Sequence, residues 1–199
     1  MSDYTVISAV SQTLKSMLDA SFAQSSDTQI NTVLSDLHSP KELQQSGDAT
    51  VVSVWLYKVS RMAEMLNEPP VRRAANQMKP APLPVLLYYL VTPMTTDPLK
   101  RHALLGKVLQ VFHDQAILRG SALQGVLAGT DHQIRVNLEA LTLEELSLVW
   151  YALGEPYQLS VTYLIQVAEI DSALEPFRVS PVLQRDMQYK QVMSSSSSL

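Results

Sequence analysis

The sequence predicts an α+β fold, an α/β sandwich in which a single mixed or mainly antiparallel sheet is flanked by about three helices. Three observations support this prediction. Apolar residues recur at helical spacing near the N-terminus, two later segments open with strong helix-start signals, and four segments are rich in β-branched or alternating apolar residues. Two of those strand-like segments are joined through a short capped helix, which favours one sheet with helices packed on it.

The first half of the chain is predicted to contain one helix and up to three strands. Apolar residues at three- and four-residue steps indicate an amphipathic helix over residues 4–20. Residues 28–37 are a weak strand candidate, and a polar turn follows over residues 38–48. Residues 51–59 read as a strand. Residues 84–92 read as a central strand, because apolar groups occupy both of its alternating faces.

The segment from Arg61 to Pro82 separates these two strands and shows no periodicity. It contains four prolines, three arginines and one lysine. We therefore expect a long exposed loop, of a length that is more often functional than idle.

The second half of the chain contains the clearest helix signal. Asp97 followed by Pro98 predicts an N-cap and a first helical residue, and the apolar stripe that follows predicts a helix to Arg119, ended by Gly120. The alternation over residues 133–138 then predicts a half-buried strand with Ile134, Val136 and Leu138 facing inward.

A capping box begins the last predicted helix. Thr142 and Glu145 have the spacing for reciprocal bonds at a helix N-terminus, and the helix should end at Leu153 before Gly154. Residues 157–170 alternate as a long strand. We therefore expect one domain over residues 1–172, an extended arm over 173–193 and a disordered serine-rich tail over 194–199.

Composition excludes several classes of function. The 15 basic and 19 acidic residues give a net charge of −4, the wrong sign for a protein that binds nucleic acid. The absence of cysteine excludes disulfides, thiolate catalysis and cysteine-ligated metals. The N-terminus does not resemble a signal peptide, and the longest apolar run, residues 85–91, is too short to span a membrane. We expect a soluble, cytoplasmic protein that does not insert into a membrane.

Charged residues make up only 17% of the chain, against an average of about 25% in soluble domains. The hydrophobic share of 46% is ordinary. Because interface cores are depleted in charge, this shortage predicts that much of the surface is covered by partner proteins.

No group of residues forms a catalytic or metal-binding pattern. His102 and His113 lie eleven residues apart on a predicted helix, without a third ligand at close spacing. Glu144 and Glu145 are explained by the start of their helix, where a carboxylate favours the dipole. No nucleophile elbow and no glycine-rich phosphate loop is present. We therefore predict no enzyme activity, no cofactor and no metal.

The candidate functional residues are instead interaction residues. The basic residues of the predicted loop could contact an acidic partner, and the arm has the weak alternation of a segment that adds a strand to another subunit's sheet. The candidates are Arg61, Arg72, Arg73, Lys79, Phe177, Arg178, Val179, Arg185 and Tyr189.

Five sequence blocks resemble a known protein family, the cap or tail-terminator family of contractile injection systems. The blocks begin at Val6 (VISAVSQTL), Leu83 (LPVLLYYLVTPM), His102 (HALLGKVLQVFHD), Ile134 (IRVNLEALTLEELSLVWYAL) and Leu159 (LSVTYLIQVAEIDS). They occur in one order over residues 4–172, and the last two are the most specific.

The resemblance implies a structural role with no active site. It implies a homo-oligomer, a hexameric ring seated on the last layers of tube and sheath at the end distal to the baseplate. Such a ring would stop polymerisation, fix the length of the particle and join sheath to tube. A heterologous interface closes into a ring when its rotation permits.

Two other hypotheses remain at this point. The first is an adaptor that docks the particle to another component, such as a membrane anchor, through the segment from Arg61 to Pro82. The second, more remote, is a small hydrolase that uses His102 or His113 with a carboxylate.

Overall fold

A computed structural model describes residues 4–45, 50–63, 69–74 and 76–178 of the chain. These residues form four α-helices, nine strands and two 3₁₀ turns. The helices are α1 (Val6–Ala23), α2 (Pro40–Gln45), α3 (Pro98–Asp114) and α4 (Leu143–Leu153). The strands are β1 (Leu34–Asp36), β2 (Val51–Arg61), β3 (Val71–Ala74), β4 (Gln77–Lys79), β5 (Leu83–Met94), β6 (Ile117–Arg119), β7 (Gln133–Glu139), β8 (Val161–Ile170) and β9 (Phe177–Arg178). The 3₁₀ turns are Gly120–Ala122 and Gly125–Leu127.

Six strands form one mixed sheet in the order β1-β2-β5-β8-β7-β6. The pair β1 and β2 is parallel, and every other neighbouring pair is antiparallel. The two longest ladders, β2 with β5 and β5 with β8, form the centre of the sheet. With helices on both faces, this arrangement confirms the predicted α+β fold.

The main core lies on the first face of the sheet, beneath α1 and α3. Helix α1 places a buried stripe at helical spacing against the sheet. The ring of Phe112 on α3 meets that of Tyr163 on β8 edge to face, with centroids 4.6 Å apart. The Tyr89 hydroxyl, buried on β5, shares a 2.7 Å hydrogen bond with the Ser11 hydroxyl of α1. Burial raises the pKa of Tyr89 to about 12, although the Ser11 bond opposes that rise.

The second face carries a smaller core under α4. Leu146 and Trp150 of this helix pack on Leu90 of β5, with Trp55 and Tyr57 of β2 beside them. Because a buried indole N–H needs an acceptor, Trp150 Nε1 donates to Ser160 Oγ at 3.1 Å.

Three further strands form a small sheet in the order β3-β4-β9. Strands β3 and β4 form a hairpin inserted between β2 and β5, and β9 follows β8. The small sheet is therefore attached at the end of the main sheet where β2 and β8 finish and β5 begins.

Several predicted elements are confirmed. The helix at residues 4–20, the strand over residues 51–59 and the central strand over residues 84–92 are present as α1, β2 and β5. Asp97 caps α3 by accepting from the backbone N–H groups of Leu99 and Lys100. Within the described parts of the chain, no helix is long and apolar enough to cross a membrane.

The predicted helix from Asp97 to Arg119 is wrong at its C-terminal end. Helix α3 finishes at Asp114, and residues 117–119 pair with β7 as the edge strand β6. Leu118 is buried there as a residue of that strand. Gly120 has a φ of 60°, as expected for a left-handed glycine, but it opens a 3₁₀ turn.

The exposed loop predicted over residues 61–82 is also wrong in its second half, because residues 71–74 and 77–79 are strands. The strand candidate at residues 28–37 shrinks to the three residues of β1, and the polar turn after it contains the short helix α2. Strand β8 begins at Val161, four residues later than predicted. Leu138, predicted to face inward, is 57% exposed, and it lines an open groove between β7 and α3.

Candidate assembly surfaces

Helix α4 begins with the capping box that its sequence predicts. The Thr142 hydroxyl accepts from the Glu145 backbone N–H at 3.2 Å, and a Glu145 carboxylate oxygen accepts from the Thr142 N–H at 2.9 Å. The bonds from the backbone and hydroxyl of Thr142 hold the pKa of the Glu145 carboxyl below its ordinary value. At the other end, Gly154 takes the left-handed conformation with a φ of 74°. Glu145 is therefore a structural residue.

Helix α4 carries apolar residues on its outward side as well as on its buried side. We call Glu144, Leu148 and Tyr151 the α4 stripe, because residues four and seven positions apart lie along one side of a helix. Leu148 is 62% exposed and Tyr151 is 84% exposed. No lysine or arginine occurs in the whole helix. The fold of a single chain gives this side of the helix nothing to pack against among the described residues.

Beneath the N-terminal end of α4 lies a row of aromatic residues on the second face of the sheet. The rings of Trp55 and Tyr57, and those of Tyr57 and Tyr88, have centroids 6.2 Å apart. Lys58 Nζ lies 4.5 Å from the centroid of the Tyr88 ring, a cation–π distance. Burial, with the nearby carboxylate of Glu139, raises the pKa of Tyr57 to about 12.

The small sheet carries the second exposed surface. Arg72 pairs with Met78, and Met78 pairs with Phe177, so these three side chains share one side of the sheet. We call them the Arg72 face. Arg72 is exposed, Phe177 is 46% exposed, and Met78 is half-buried. Arg178 pairs with Gln77 and lies on the opposite side. The three strands contain basic residues and no carboxylate.

Four of the predicted interaction residues whose side chains are described belong to the small sheet, and three of them are exposed there: Arg72, Phe177 and Arg178. Arg61 is exposed at the end of β2, where the chain leaves the main sheet for the small sheet. Lys79 is only 8% exposed, since β4 is the middle strand of the small sheet. The side chain of Arg73, together with Val179, Arg185 and Tyr189, lies outside the described residues.

An apolar groove of about 560 Å³ runs between the C-terminal half of α3 and the end of β7. Strand β6 pairs with β7 only as far as Arg135, so the groove lies beside the outer edge of β7 beyond that point. Its lining residues are Leu109, Gln110, Phe112, His113, Ala116, Val136, Asn137, Leu138 and Tyr163.

The histidines and carboxylates considered in the sequence do not converge. His102 and His113 are both exposed on α3, and only His113 touches the groove. Over residues 4–45, 50–63, 69–74 and 76–178, no three histidine, aspartate or glutamate side chains form a group that could hold a metal ion.

Comparison with known families decides the relationship of the chain. The family described as the Pvc16 N-terminal domain matches residues 9–184. The chain belongs to the Pvc16 N-terminal domain family. This membership confirms the resemblance that the five sequence blocks indicate.

Two solved structures share the fold of this Pvc16 N-terminal domain. One is the sheath/tube terminator of PVC, an extracellular contractile injection system, in the extended state; it has 20% identity and a TM-score of 0.65 over 98% of this chain and 67% of that chain. The other is the cap of the anti-feeding prophage, its tube terminating cap, with 19% identity and a TM-score of 0.58 over 90% of this chain and 60% of that chain. This chain thus spans about two thirds of the length of those proteins. No curated protein matches the sequence at a significant level.

Sequence reasoning missed the α4 stripe of this family member. The pattern that predicts helix α4 also contains the signal, because an exposed helix normally carries charged residues on its outer side. No charged residue occurs between Ser147 and Leu153. Packing against the core explains the apolar residues on one side of the helix but not those on the other.

Proposed function

We propose that the chain is the structural cap of a contractile injection system. In this role it forms a ring on the last tube and sheath layers, ends their polymerisation and joins sheath to tube. The observation that carries the proposal is membership of the Pvc16 N-terminal domain family over residues 9–184. The fold shared with a sheath/tube terminator and a tube terminating cap supports it.

The composition and surface of the chain support the same role. A cap needs several protein contacts at once, and interface cores are poor in charge. The charged share of 17%, the α4 stripe and the exposed apolar residues of the small sheet all suit a surface covered by neighbouring proteins. We propose a hexamer that acts without catalysis and without a cofactor, and that assembles in the cytoplasm at the end distal to the baseplate.

Deletion of the gene in a strain that produces particles tests the proposal. Without a cap, tube and sheath should continue to grow at the free end, because exposed strand edges and subunit faces remain available as templates. We expect longer and more variable particles by negative-stain imaging, with normal length restored by the full chain supplied in trans. Purified particles should also contain the chain at one end.

Particles of normal length in the deletion strain, together with a chain that stays monomeric under all conditions, would overturn the proposal. Truncation of the segment between Arg61 and Pro82 separates the cap from an adaptor. A truncated chain that still fixes particle length but no longer docks particles to another component would favour the adaptor.

A further inference from the structure

The α4 stripe has a composition that its own fold does not require. Tyr151 is the most exposed of the large apolar side chains in the described residues, and Leu148 lies next to it on the same side. Exposed aromatic residues of this kind act as anchors at protein interfaces. Glu144 begins the stripe, and the helix has no cation to balance it. A partner surface that combines apolar area with a positive charge would complement the stripe.

The chain itself presents a surface with those properties at another place. On the Arg72 face, a guanidinium stands beside the half-buried Met78 and the exposed Phe177. Leu174, 68% exposed, comes shortly before β9. Arginine can bond a carboxylate and can stack on an aromatic ring, so Arg72 has two suitable partners in Glu144 and Tyr151.

We propose that the α4 stripe of one copy packs on the Arg72 face of the next copy in the ring. This inference rests on the proposed ring-forming function and adds the surfaces that meet. The two surfaces are different, so the contact is heterologous, which is the type of contact that closes into a ring. Pairing of like surfaces is disfavoured, because it brings two Glu144 carboxylates or two Arg72 guanidinium groups into one interface without an opposite charge.

Cysteine cross-linking tests the contact directly, since the native chain contains no cysteine. The cysteines are placed beside the contact residues and leave those residues intact. The chain with both Ser147→Cys and Glu175→Cys, two exposed positions next to the α4 stripe and the Arg72 face, is expressed in the particle-producing strain and treated with a short bismaleimide. We expect a ladder of covalent oligomers on a denaturing gel. Each single variant should remain at the monomer position, and a mixture of the two single variants should stop at dimers.

A matched control replaces Glu175→Cys with Ala103→Cys, an exposed position on α3 far along the chain from the small sheet. This control should give no ladder. Cross-linked dimers from the Ser147→Cys variant alone would show that α4 packs on α4, and they would overturn the inference. The same conclusion follows if particles contain the double-cysteine chain and no ladder forms, whereas absence of the chain from the particles would contradict the proposed function itself.

Charge exchange gives an independent test with its own control. Arg72→Glu should weaken self-association at least about tenfold, because it places a carboxylate opposite Glu144. The double variant with Glu144→Arg and Arg72→Glu should recover most of that loss. Arg178→Glu makes the same charge change on the opposite side of the small sheet and should have a clearly smaller effect. No recovery in the double variant, with all variants folded by circular dichroism, would overturn the pairing.

Discussion

At the residue scale, Asp19 shows how a single carboxylate ties a helix to an edge strand. One of its oxygens accepts from the backbone N–H and from the hydroxyl of Ser35, both at 2.6 Å. The other accepts from Lys15 Nζ at 2.7 Å, and the same ammonium also donates to the Ser35 carbonyl. Burial alone would raise the pKa of Asp19, but the bonds from Lys15 and Ser35 outweigh burial and lower the pKa.

We predict that Asp19→Asn lowers the free energy of unfolding at neutral pH by about 1.5–3 kcal/mol, the range for hydrogen bonds to a charged group. Because the folded-state pKa lies below the unfolded value of about 3.9, the stabilisation is present above that value and is lost as the pH falls through the folded-state pKa. The difference between wild type and variant in urea denaturation should therefore shrink on acidification. Exposed Asp131→Asn serves as the control, and a pH-independent difference would contradict the prediction.

Two glycines have opposite roles, which substitution by alanine should separate. Gly125 has a φ of 57°, and a Cβ atom there would lie 3.1 Å from the Cβ of Ala9 on α1. Gly106 lies within α3, and a Cβ atom there would meet nothing within 4 Å. We predict that Gly125→Ala destabilises by about 1–2 kcal/mol or more, whereas Gly106→Ala stabilises by about 0.5–1 kcal/mol. Thermal unfolding measures both, and equal effects of the two changes would contradict this reading.

At the element scale, two adjacent aromatic residues of α4 have different roles, one in the stability of the fold and the other in assembly. Trp150 is 1% exposed and Tyr151 is 84% exposed. We predict that Trp150→Ala lowers the free energy of unfolding by about 3–5 kcal/mol, since it removes most of the core on the second face. Tyr151→Ala should change that free energy by less than about 0.5 kcal/mol and should instead reduce self-association. Chemical denaturation and light scattering on the same samples measure the two effects, and a large loss of stability in Tyr151→Ala would contradict the assignment.

The elements that sequence reasoning predicted are those with local signals. The capping residues Thr142 and Glu145, the N-cap Asp97 and the dense apolar run of β5 define their elements without reference to the rest of the chain. The missed elements depend on distant partners. Strand β6 has three residues and forms because β7 is available to pair with it, and β4 exists between β3 and β9, which lie on either side of it in space.

The same distinction applies to the candidate surfaces. The basic residues between Arg61 and Lys79 were identified by composition, but only pairing across β3, β4 and β9 places Arg72 and Phe177 on one side of a sheet. The pairing also explains why Lys79 is largely buried. To predict the α4 stripe, one must know which side of the helix packs on the sheet. Because both sides of α4 are apolar, the sequence pattern does not show which side that is.

At the scale of the whole molecule, the inferred contact between copies predicts a definite response to salt. Each copy carries a net charge of −4. Repulsion between whole copies acts over distances longer than the Debye length, which is about 10 Å at 0.1 M salt, so salt at that concentration already screens most of this repulsion. Above that concentration, added salt mainly weakens the attraction between the opposite charges at the inferred contact. We predict that self-association weakens as salt rises from about 0.1 M to 0.5 M, as measured by light scattering. Arg72→Glu should reverse this trend, because salt then screens a repulsion with Glu144. Stronger association of the native chain at high salt would contradict the electrostatic part of the inference.

The connection between the two sheets has a mechanical consequence. Strands β2, β5 and β8 are neighbours in the main sheet, and the chain leads from them to β3, β4 and β9, which are neighbours in the same order in the small sheet. Three chain segments therefore leave one end of the main sheet and reunite beyond it. A pull on the small sheet along these strands is therefore shared among three adjacent strands. A surface attached in this way passes load to the core without peeling its strands apart one at a time.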